Sequence, residues 1–496
     1  MSGYLLAVDQ GTTGSTVVVL STDARVLARA THEFPQHFPS PGWVEHDVEE
    51  IWTSVVQSLE SALAEAGVDG ADCLGIGITN QRETAVVWER QTGTPIHRAI
   101  VWQDRRTADV CRRLRQDGHE ERVRAKTGLV LDPYFSGTKV AWLLDNVAGA
   151  RSRAESGDLA FGTMDTYVLH RLSGGLVHCT DPSNASRTML FDIHTGAWCD
   201  ELLELLGVPK SLLPEVRSNS EVYGHTKGVP GLPDGIPIAG MAGDQQSALF
   251  GQICFGVGDA KCTYGTGAFL LMNTGEVAVP SQHGLLTTVA WKIGDKTVYA
   301  LEGSSFIAGA AVQWLRDGLG IIQNASEIEA LARQVQSSDG VVFVPALAGL
   351  GAPHWDPDAR GSITGITRGT TKAHLARATL EGIAFQIGDL VEAMKADCGA
   401  ELGRLRVDGG AARNDLLMEI QAGVANAPID RPESVETTAL GAAYLAGMAV
   451  GVFPDTKSIA DAHRVERTFE SKMNEEERGA ALKQWHEAVG RTRSEV

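Results

Sequence analysis

Two stretches of the chain restrict its fold more strongly than any others, because in each a short strand-like segment, a Gly/Thr turn and an apolar, β-rich run follow one another directly. The first stretch covers residues 4–20, with the turn at 10–14. The second covers residues 258–272, with the turn Tyr264-Gly265-Thr266-Gly267. Each pattern predicts a β-hairpin with a small polar turn. The repeat is faint, and the pattern alone leaves an internal duplication open.

The remainder of the chain alternates helix-like and strand-like segments. Residues 51–66 have apolar side chains at helical spacing, and the apolar run 74–78 reads as the next strand. This alternation predicts an α/β architecture, with sheets covered by helices. A chain of 496 residues exceeds one ordinary core, so we expect two domains, 1–250 and 251–496, closely packed about a cleft.

Charge and cysteine content exclude several classes of protein. The net charge of −19 argues against nucleic acid or an anionic membrane as a partner, since both attract clustered positive charge. No secretory signal is recognisable, and the apolar run 441–453 is too short to cross a bilayer. The seven cysteines are widely spaced without a Cys-x-x-Cys pair, which predicts reduced thiols rather than disulfides or a zinc site. We therefore expect a cytoplasmic protein.

The first candidate motif is Asp9-x-Gly11-Thr12-Thr13, in the turn of the first hairpin. Glycine allows a phosphate to approach the backbone closely, and threonine hydroxyls add donors to the main-chain N–H groups. Asp9 would face Mg²⁺, which prefers oxygen ligands and keeps several waters. A hairpin turn without any ligand would also use Gly and Thr, so this alternative stays open. The chain has no Gly-x-x-x-x-Gly-Lys-Ser/Thr loop.

Two further Gly-rich turns follow strands in the second half. They are Tyr264-Gly265-Thr266-Gly267 and the segment 408–414, which begins Asp408-Gly409-Gly410. Together they could hold a nucleotide from the side opposite to the first turn. Each one taken alone could equally be an ordinary turn.

The polar segment 79–84, Thr-Asn-Gln-Arg-Glu-Thr, comes directly after a strand that should be buried. Six consecutive polar residues at such a place are costly unless they face water or a ligand. Arg82 and Glu83 could donate to one hydroxyl of a small polyol and accept from another. The alternative is a surface loop with an ordinary ion pair.

Asp244 follows a strand and the small residues Ala242 and Gly243, which would let a ligand come close. It could orient an attacking hydroxyl and accept its proton, a role in which position matters more than a raised pKa. The alternative is an Asp that caps a helix starting at Gln245. Trp102 and Phe269 could cover the carbon side of a polyol, although aromatic residues in α/β proteins are usually part of the core.

With these residues in view, the chain resembles the FGGY carbohydrate kinases over essentially its full length. The resemblance rests on ordered blocks at residues 9–13, 42–47, 79–84, 102–107, 132–139, 184–188, 243–246, 264–267 and 349–353. It implies two actin/hexokinase-like (ribonuclease H-like) domains on either side of a cleft, and phosphorylation of a small substrate by ATP with Mg²⁺. The blocks 80–83 and 132–136 favour glycerol over the ketoses that other family members use. The implied product is sn-glycerol 3-phosphate, for glycerol catabolism.

The resemblance also implies roles for individual residues. The implied glycerol contacts are Arg82, Glu83, Trp102, Tyr134, Asp244, Gln245 and Phe269. The implied nucleotide contacts are Thr12, Thr13, Gly14, Thr266, Gly309, Gln313, Gly410 and Asn414. Asp244 would be the general base of an in-line transfer, and Asp9 and Asp244 would lie near Mg²⁺. A homodimer or homotetramer is compatible with this picture.

Two departures from the family pattern limit what is carried over. Many members continue the first turn as Ser-Ser-Arg where this chain has Gly14-Ser15-Thr16, so a nucleotide contact from that arginine cannot be carried over, although the backbone cradle can. Some bacterial members are inhibited by fructose 1,6-bisphosphate through a Gly-rich loop that contains an Arg. The matching segment here, 224–231, has none, which predicts weak or absent inhibition.

Other functions remain open at this level. A kinase for another polyol or a ketose would keep the same motifs. An ATP-gated binding or assembly protein could share the fold, because the actin-like fold also serves filaments and chaperones. A pure nucleotide switch, however, has no need of the Arg82 and Glu83 block together with Asp244.

Overall fold

The computed structural model describes residues 3–494, and its elements are numbered here along the chain. Strands of the first half are β1 (Tyr4–Gln10), β2 (Gly14–Ser21), β3 (Val26–Glu33), β4 (Glu45–His46), β5 (Cys73–Asn80), β6 (Val86–Glu89), β7 (Ala99–Ile100), β8 (Leu159–Gly162), β9 (Cys179–Thr180), β10 (Phe191–Asp192), β11 (Ala197–Trp198), β12 (Glu215–Val216), β13 (Ser220–His225) and β14 (Pro237–Gly243). Its helices are α1 (Val48–Ala66), α2 (Ala108–Gln116), α3 (Glu120–Thr127), α4 (Ser136–Asn146), α5 (Ala150–Glu155), α6 (Met164–Leu172), α7 (Pro182–Ala185), α8 (Asp200–Leu206) and α9 (Asp244–Gly251).

The second half has fewer but longer elements. Its strands are β15 (Ala260–Tyr264), β16 (Ala268–Gly275), β17 (Leu286–Ile293), β18 (Lys296–Ser305), β19 (Val342–Val344), β20 (Ser362–Thr364), β21 (Leu405–Asp408), β22 (Ile429–Pro432) and β23 (Val465–Phe469). Its helices are α10 (Gly309–Asp317), α11 (Glu327–Ala332), α12 (Lys372–Cys398), α13 (Asp415–Ala425), α14 (Thr437–Ala449), α15 (Thr456–Ala462) and α16 (Glu475–Thr492).

Each half is built on one mixed sheet, and the predicted hairpin supplies the first two strands of that sheet in chain order. The first sheet has the order β13-β14-β5-β1-β2-β3, with β1 antiparallel to β2 and parallel to β5. The second has the order β17-β18-β16-β15-β21-β22-β23, with β15 antiparallel to β16 and parallel to β21. Both hairpins and the α/β class are therefore confirmed, and the two halves repeat the arrangement of a hairpin beside two parallel strands.

Helix α1 shows how local sequence produces these layers. Asp47 caps its N-terminus by accepting a hydrogen bond from the Glu49 N–H at 2.9 Å, and Gly67 ends it in the left-handed conformation. The helix buries Ile51, Val55 and other apolar residues at helical spacing against β2 and β3. This confirms the helix predicted at 51–66.

Helices α9 and α14 pack against each other and join the two halves. Helix α14 belongs to the second half of the chain, yet it lies against β14, β5 and β1 of the first sheet. An ideal Cβ on Gly441 would lie 1.9 Å from the Ser247 carbonyl oxygen, and one on Gly77 would lie 2.1 Å from the Ala442 carbonyl oxygen. Glycine is thus required for this approach. Because α14 crosses to the first sheet, the division into domains 1–250 and 251–496 stays a prediction.

Two other expectations concern the whole chain. All seven cysteines are free, and five of them are buried. Among residues 3–494, no helix combines the length and the apolar character needed to cross a membrane.

Candidate active site

The polar segment 79–84 is buried at the carboxyl end of β5 and in the turn that follows. Each of its side chains is at most 2% exposed, Arg82 and Glu83 among them. The interpretation as a surface loop is therefore wrong. Buried polar groups of this density need partners inside the protein or on a ligand.

Arg82 uses its guanidinium to join residues from both halves of the chain. Its Nη1 and Nη2 donate to the two carboxylate oxygens of Glu302 at 2.6 and 3.0 Å. Its Nη1 also donates to Gln246 at 3.2 Å, and its Nη2 donates to the Tyr134 hydroxyl at 3.4 Å. Its Nε lies 3.1 Å from Oδ1 of Asp244. Asp244 and Arg82, predicted from distant parts of the sequence to act together, are thus in contact.

Glu83 completes the predicted trio. Its Oε1 lies 3.7 Å from the Nε of Arg82 and accepts a hydrogen bond from the Nε of Arg187 at 2.6 Å. Its backbone has φ of 59°, which is uncommon outside glycine. The Glu83 carbonyl accepts from Ser136 Oγ at 3.0 Å and from Lys139 Nζ at 3.1 Å, and these bonds hold the unusual turn.

Lys139 connects this turn to the neighbouring pocket wall. It is completely buried, and its ammonium donates to the Tyr134 carbonyl as well as to the Glu83 carbonyl. Burial lowers the pKa of Lys139 to about 7, although nearby carboxylates, Glu83 first, oppose the shift.

An aromatic wall lies beside these charges. The rings of Trp102 and Tyr134 meet edge to face, with centroids 5.6 Å apart. The Trp102 indole N–H donates to the Thr12 hydroxyl at 3.0 Å, which connects the predicted substrate pocket to the first phosphate turn. Phe269 is half-buried on β16, opposite Ser304. Trp102, Tyr134 and Phe269 all keep part of their surface accessible, unlike a fully buried core aromatic residue.

Asp244 is the first residue of α9, at the carboxyl end of β14. The helix cap is Gly243, so the alternative that Asp244 caps a helix starting at Gln245 is wrong. Its Oδ1 accepts from the Gln245 N–H at 2.7 Å and faces Arg82, whereas its Oδ2 receives no hydrogen bond within residues 3–494. The side chain is 31% exposed. One carboxylate oxygen is thus held in place and the other is open to a ligand.

Gln245 points its amide oxygen at a lysine from the second half. Lys261 on β15 is fully buried, and its Nζ donates to this oxygen and to the Thr263 hydroxyl, the latter at 2.9 Å. Burial lowers the pKa of Lys261, against the attraction of Asp408 and Asp244.

Asp9 lies half-buried at the end of β1. Burial, and then the charges of Asp244 and Glu436, raise the pKa of Asp9 to about 8. The carboxylates repel one another here, and a divalent cation bound between them would relieve that repulsion. In the described part of the chain no three His, Cys, Asp or Glu side chains form a metal cage. The pair Asp9 and Asp244 suits Mg²⁺, which uses one or two carboxylates together with substrate phosphates.

The predicted nucleotide residues form two groups. In the second half, the Gly309 N–H donates to the Gly265 carbonyl at 3.0 Å, so the start of α10 meets the turn containing Thr266. An ideal Cβ on Gly409 would lie 2.5 Å from the Tyr264 carbonyl oxygen, which places the turn before Gly410 against the same edge. Gly410 itself faces open space. Asn414 ends the same segment and caps α13 with its Oδ1, whereas Gln313 is exposed on α10.

The other group is the first turn, with Thr12, Thr13 and Gly14. The Gly11 N–H donates to the Gly14 carbonyl at 3.0 Å, and the Thr13 side chain is exposed. No hydrogen bond within residues 3–494 joins this turn to the turns of the second half. The two groups belong to different sheets, and their contact with a nucleotide from different sides stays a prediction.

Sequence reasoning missed four polar residues of this site, namely Arg187, Gln246, Lys261 and Glu302. Lys261 is the one charge in β15, and Glu302 directly follows the apolar run 298–301 of β18; a charge in such a buried setting is the signal that could have found them. Burial raises the pKa of Glu302, but the stronger combined attraction of Arg187 and Arg82 lowers it to about 2. Burial raises the pKa of Glu83 despite the same two cations.

Two sheets that each begin with a hairpin, and a polar pocket built by both halves, define an α/β protein of the two-domain sugar-kinase class. Family models agree: the N-terminal domain of the FGGY family of carbohydrate kinases matches residues 4–251, and its C-terminal domain matches residues 260–450. The chain belongs to the FGGY family of carbohydrate kinases.

Individual relatives cover the whole chain. A glycerol kinase of Myxococcus xanthus is 58% identical over 490 residues, which are 98% of this chain and 99% of the relative. A glycerol kinase of Bacillus subtilis is 55% identical over 489 residues, 99% of each.

Solved structures agree with the fold. The crystal structure of Plasmodium falciparum glycerol kinase with ADP matches with a TM-score of 0.94 and 37% identity, over 100% of this chain and 99% of that one. A ligand-bound xylulose kinase from Lactobacillus acidophilus matches with a TM-score of 0.88 at 22% identity, over 98% and 97%, and this likeness concerns the fold alone.

Proposed function

We propose that the chain transfers the γ-phosphoryl group of ATP to glycerol, giving sn-glycerol 3-phosphate and ADP. The observation that carries the proposal is the convergence of Arg82, Glu83 and Asp244, with the Arg82 Nε 3.1 Å from Asp244 and 3.7 Å from Glu83. Relatives at 54–58% identity over nearly the whole chain are named glycerol kinase. A polyol-binding site beside turns that can hold phosphate groups accounts for this convergence and agrees with the names of the relatives.

Asp244 is the general base in this proposal. Its free Oδ2 accepts the proton of the attacking hydroxyl while the oxygen of that hydroxyl forms a bond to the γ-phosphorus. The bond between this phosphorus and the oxygen bridging to the β-phosphate breaks, and ADP leaves with that electron pair. Asp244 lies at the first position of α9, where the helix dipole favours a carboxylate. Arg82 positions the carboxylate for this role.

The substrate hydroxyls have complementary partners in the pocket. Glu83 Oε2 accepts no hydrogen bond from residues 3–494, so it is available to a hydroxyl donor. Arg82 and Tyr134 supply donors to the hydroxyl oxygens. Trp102 and Phe269 cover the carbon atoms of glycerol, and Gln245 is the remaining expected glycerol contact.

ATP is the phosphoryl donor, and the turns at the ends of β1, β15 and β21 would hold it. Thr12, Thr13 and Gly14 offer backbone N–H groups and hydroxyls from the first half. Thr266, Gly309, Gln313, Gly410 and Asn414 offer theirs from the second. The ADP complex of the relative from Plasmodium falciparum, whose fold is nearly identical, supports a nucleotide in this family member.

Mg²⁺ fits the carboxylates of Asp9 and Asp244, and when bound it would neutralise charge on the transferred phosphoryl group. The protein would act in the cytoplasm, in glycerol catabolism, either alone or as a homodimer or homotetramer. Residues 1–250 would carry the first phosphate turn and most of the glycerol site, and residues 251–496 most of the nucleotide site.

The decisive experiment measures ADP release by the purified protein in a coupled assay with Mg²⁺ and ATP. Glycerol, erythritol, xylulose and no acceptor are compared, and chelation of Mg²⁺ serves as a further control. We expect the highest kcat/KM with glycerol. Faster turnover of xylulose or erythritol would reassign the substrate. ATP hydrolysis that no polyol stimulates would instead support an ATP-gated assembly protein.

A further inference from the structure

Four charged side chains form a closed, buried network at the floor of the pocket. Arg82, Glu83 and Arg187 come from the first half, and Glu302 comes from β18 of the second half. Each side chain is at most 2% exposed. Two cations and two anions balance, which a buried set of charges requires.

Glu302 hydrogen-bonds to both arginines, whereas Glu83 hydrogen-bonds to Arg187 and forms only a longer ion pair, of 3.7 Å, with Arg82. It receives two hydrogen bonds from Arg82, at 2.6 and 3.0 Å, and one from the Nη2 of Arg187, at 2.9 Å. The paired bonds to Arg82 fix the plane of the guanidinium, because a carboxylate and a guanidinium match in two-point geometry. That plane determines where the Nε of Arg82 points, and it points at Asp244.

Arg187 orients the Glu83 carboxylate, as Glu302 orients the Arg82 guanidinium. Its Nε donates to Glu83 Oε1 at 2.6 Å, which leaves Glu83 Oε2 available to a hydroxyl donor. Its guanidinium lies 5.5 Å from the Tyr134 ring centroid and 5.2 Å from that of Phe135, so its plane is packed as well.

We propose that Glu302 and Arg187 are positioning residues for the polyol: they orient Arg82 and Glu83, and they make the polyol site depend on the second half of the chain. This inference rests on the proposed function, because it assigns the network to the substrate pocket of that reaction. Neither residue belongs to the set expected to touch glycerol or ATP. Their loss should therefore weaken polyol binding while the nucleotide turns stay intact.

The test compares Glu302→Gln and Arg187→Lys with the wild type by steady-state kinetics in both substrates. Glu302→Gln keeps the shape but removes the charge, and we expect KM for glycerol to rise about tenfold or more, with KM for ATP within about twofold. Arg187→Lys keeps the charge but loses the planar guanidinium with its paired donors, and it should show a smaller rise in KM for glycerol. Glu302→Asp, which restores the carboxylate, should recover part of the loss.

A matched control separates positioning from general destabilisation. Asp430→Asn removes another nearly buried carboxylate of the second sheet, paired with Arg404 at 2.6 Å, and should leave both KM values unchanged. A similar rise of both KM values in Glu302→Gln, or none in either, would overturn the inference. If the wild type prefers another polyol, the same comparison is made with that polyol, so a wrong substrate and a wrong role for Glu302 give different results.

Discussion

The Nε of Arg82 lies 3.1 Å from Oδ1 of Asp244, and this contact joins the turn after β5 to the start of α9. The same Oδ1 accepts the Gln245 N–H, so both of its partners hold the carboxylate in one orientation. The opposite oxygen, Oδ2, is left to a ligand. A carboxylate fixed on one side and open on the other is suited to take a proton from a bound hydroxyl.

Replacing Asp244 by Asn should therefore slow catalysis strongly without unfolding the protein. We expect kcat to fall about 100-fold or more, because the amide cannot accept the proton, while Tm changes little. The matched control is Asp145→Asn, at an exposed carboxylate paired with Arg151, which should behave like the wild type. Turnover close to the wild type in Asp244→Asn would remove Asp244 from the role of base.

Local pattern was sufficient to predict much of the fold and the central residues of the site. The hairpin at residues 4–20 and the helix at 51–66 are each specified by short-range signals, alternating or helical apolar spacing with turn or cap residues at the ends. Arg82, Glu83 and Asp244 stood out because polar residues follow strands that must be buried. Such signals need no knowledge of the tertiary arrangement.

The partners of those residues could not be predicted in the same way. Glu302 lies 220 positions from Arg82 along the chain, and only the packing of the two sheets brings them together. Similarly, the apolar helix α14 gives no local sign that it packs on the first sheet rather than on its own. Single charges within apolar strands indicate that a partner exists, but not which residue it is.

The close packing of α14 on α9 gives a prediction about stability. Gly441→Ala would place a methyl group 1.9 Å from the Ser247 carbonyl oxygen, so the two helices must move apart. We expect a loss of about 2 kcal/mol or more in the free energy of unfolding, measured by denaturant titration. Gly479→Ala is the control, because Gly479 is exposed on α16 and an added Cβ would meet no neighbouring atom within 4 Å. It should be neutral or stabilising by up to about 1 kcal/mol, since Ala favours helix. Equal effects at both positions would contradict the close packing.

Regulation by fructose 1,6-bisphosphate is expected to be weak or absent. In the segment 224–231 the only Lys or Arg is Lys227, and the Gly228 N–H is already bound to the Asp234 carboxylate at 2.7 Å. A bisphosphate needs several cations, and this loop presents a neighbouring anion instead. A titration of activity with fructose 1,6-bisphosphate should therefore be flat, in the wild type and in Lys227→Ala alike. Strong inhibition that Lys227→Ala relieves would refute this expectation.

A pair of buried carboxylates that are not among the predicted site residues, Asp165 on α6 and Asp181 at the N-cap of α7, should make stability depend on pH. Asp181 accepts from the Ser183 N–H at 2.7 Å and from the Asn219 amide at 2.8 Å, donors that favour its charged form. The side-chain donors to Asp165 are threonine hydroxyls, such as Thr180 at 2.6 Å, which tolerate a protonated acid. Burial, and then the charge of Asp181, raise the pKa of Asp165 to about 7.

The sign of the effect follows from this raised pKa. A carboxyl that binds its proton more tightly in the folded state gives most stability below its unfolded pKa of about 4, and this stability is lost as the pH rises towards about 7. Asp165→Asn cannot ionise, so its Tm relative to the wild type should increase between about pH 4 and about pH 7 and then level off. Asp181→Asn loses a helix cap and should be less stable than the wild type at every pH. A difference in Tm between Asp165→Asn and the wild type that stays constant over this range would show that Asp165 is already ionised in the folded protein.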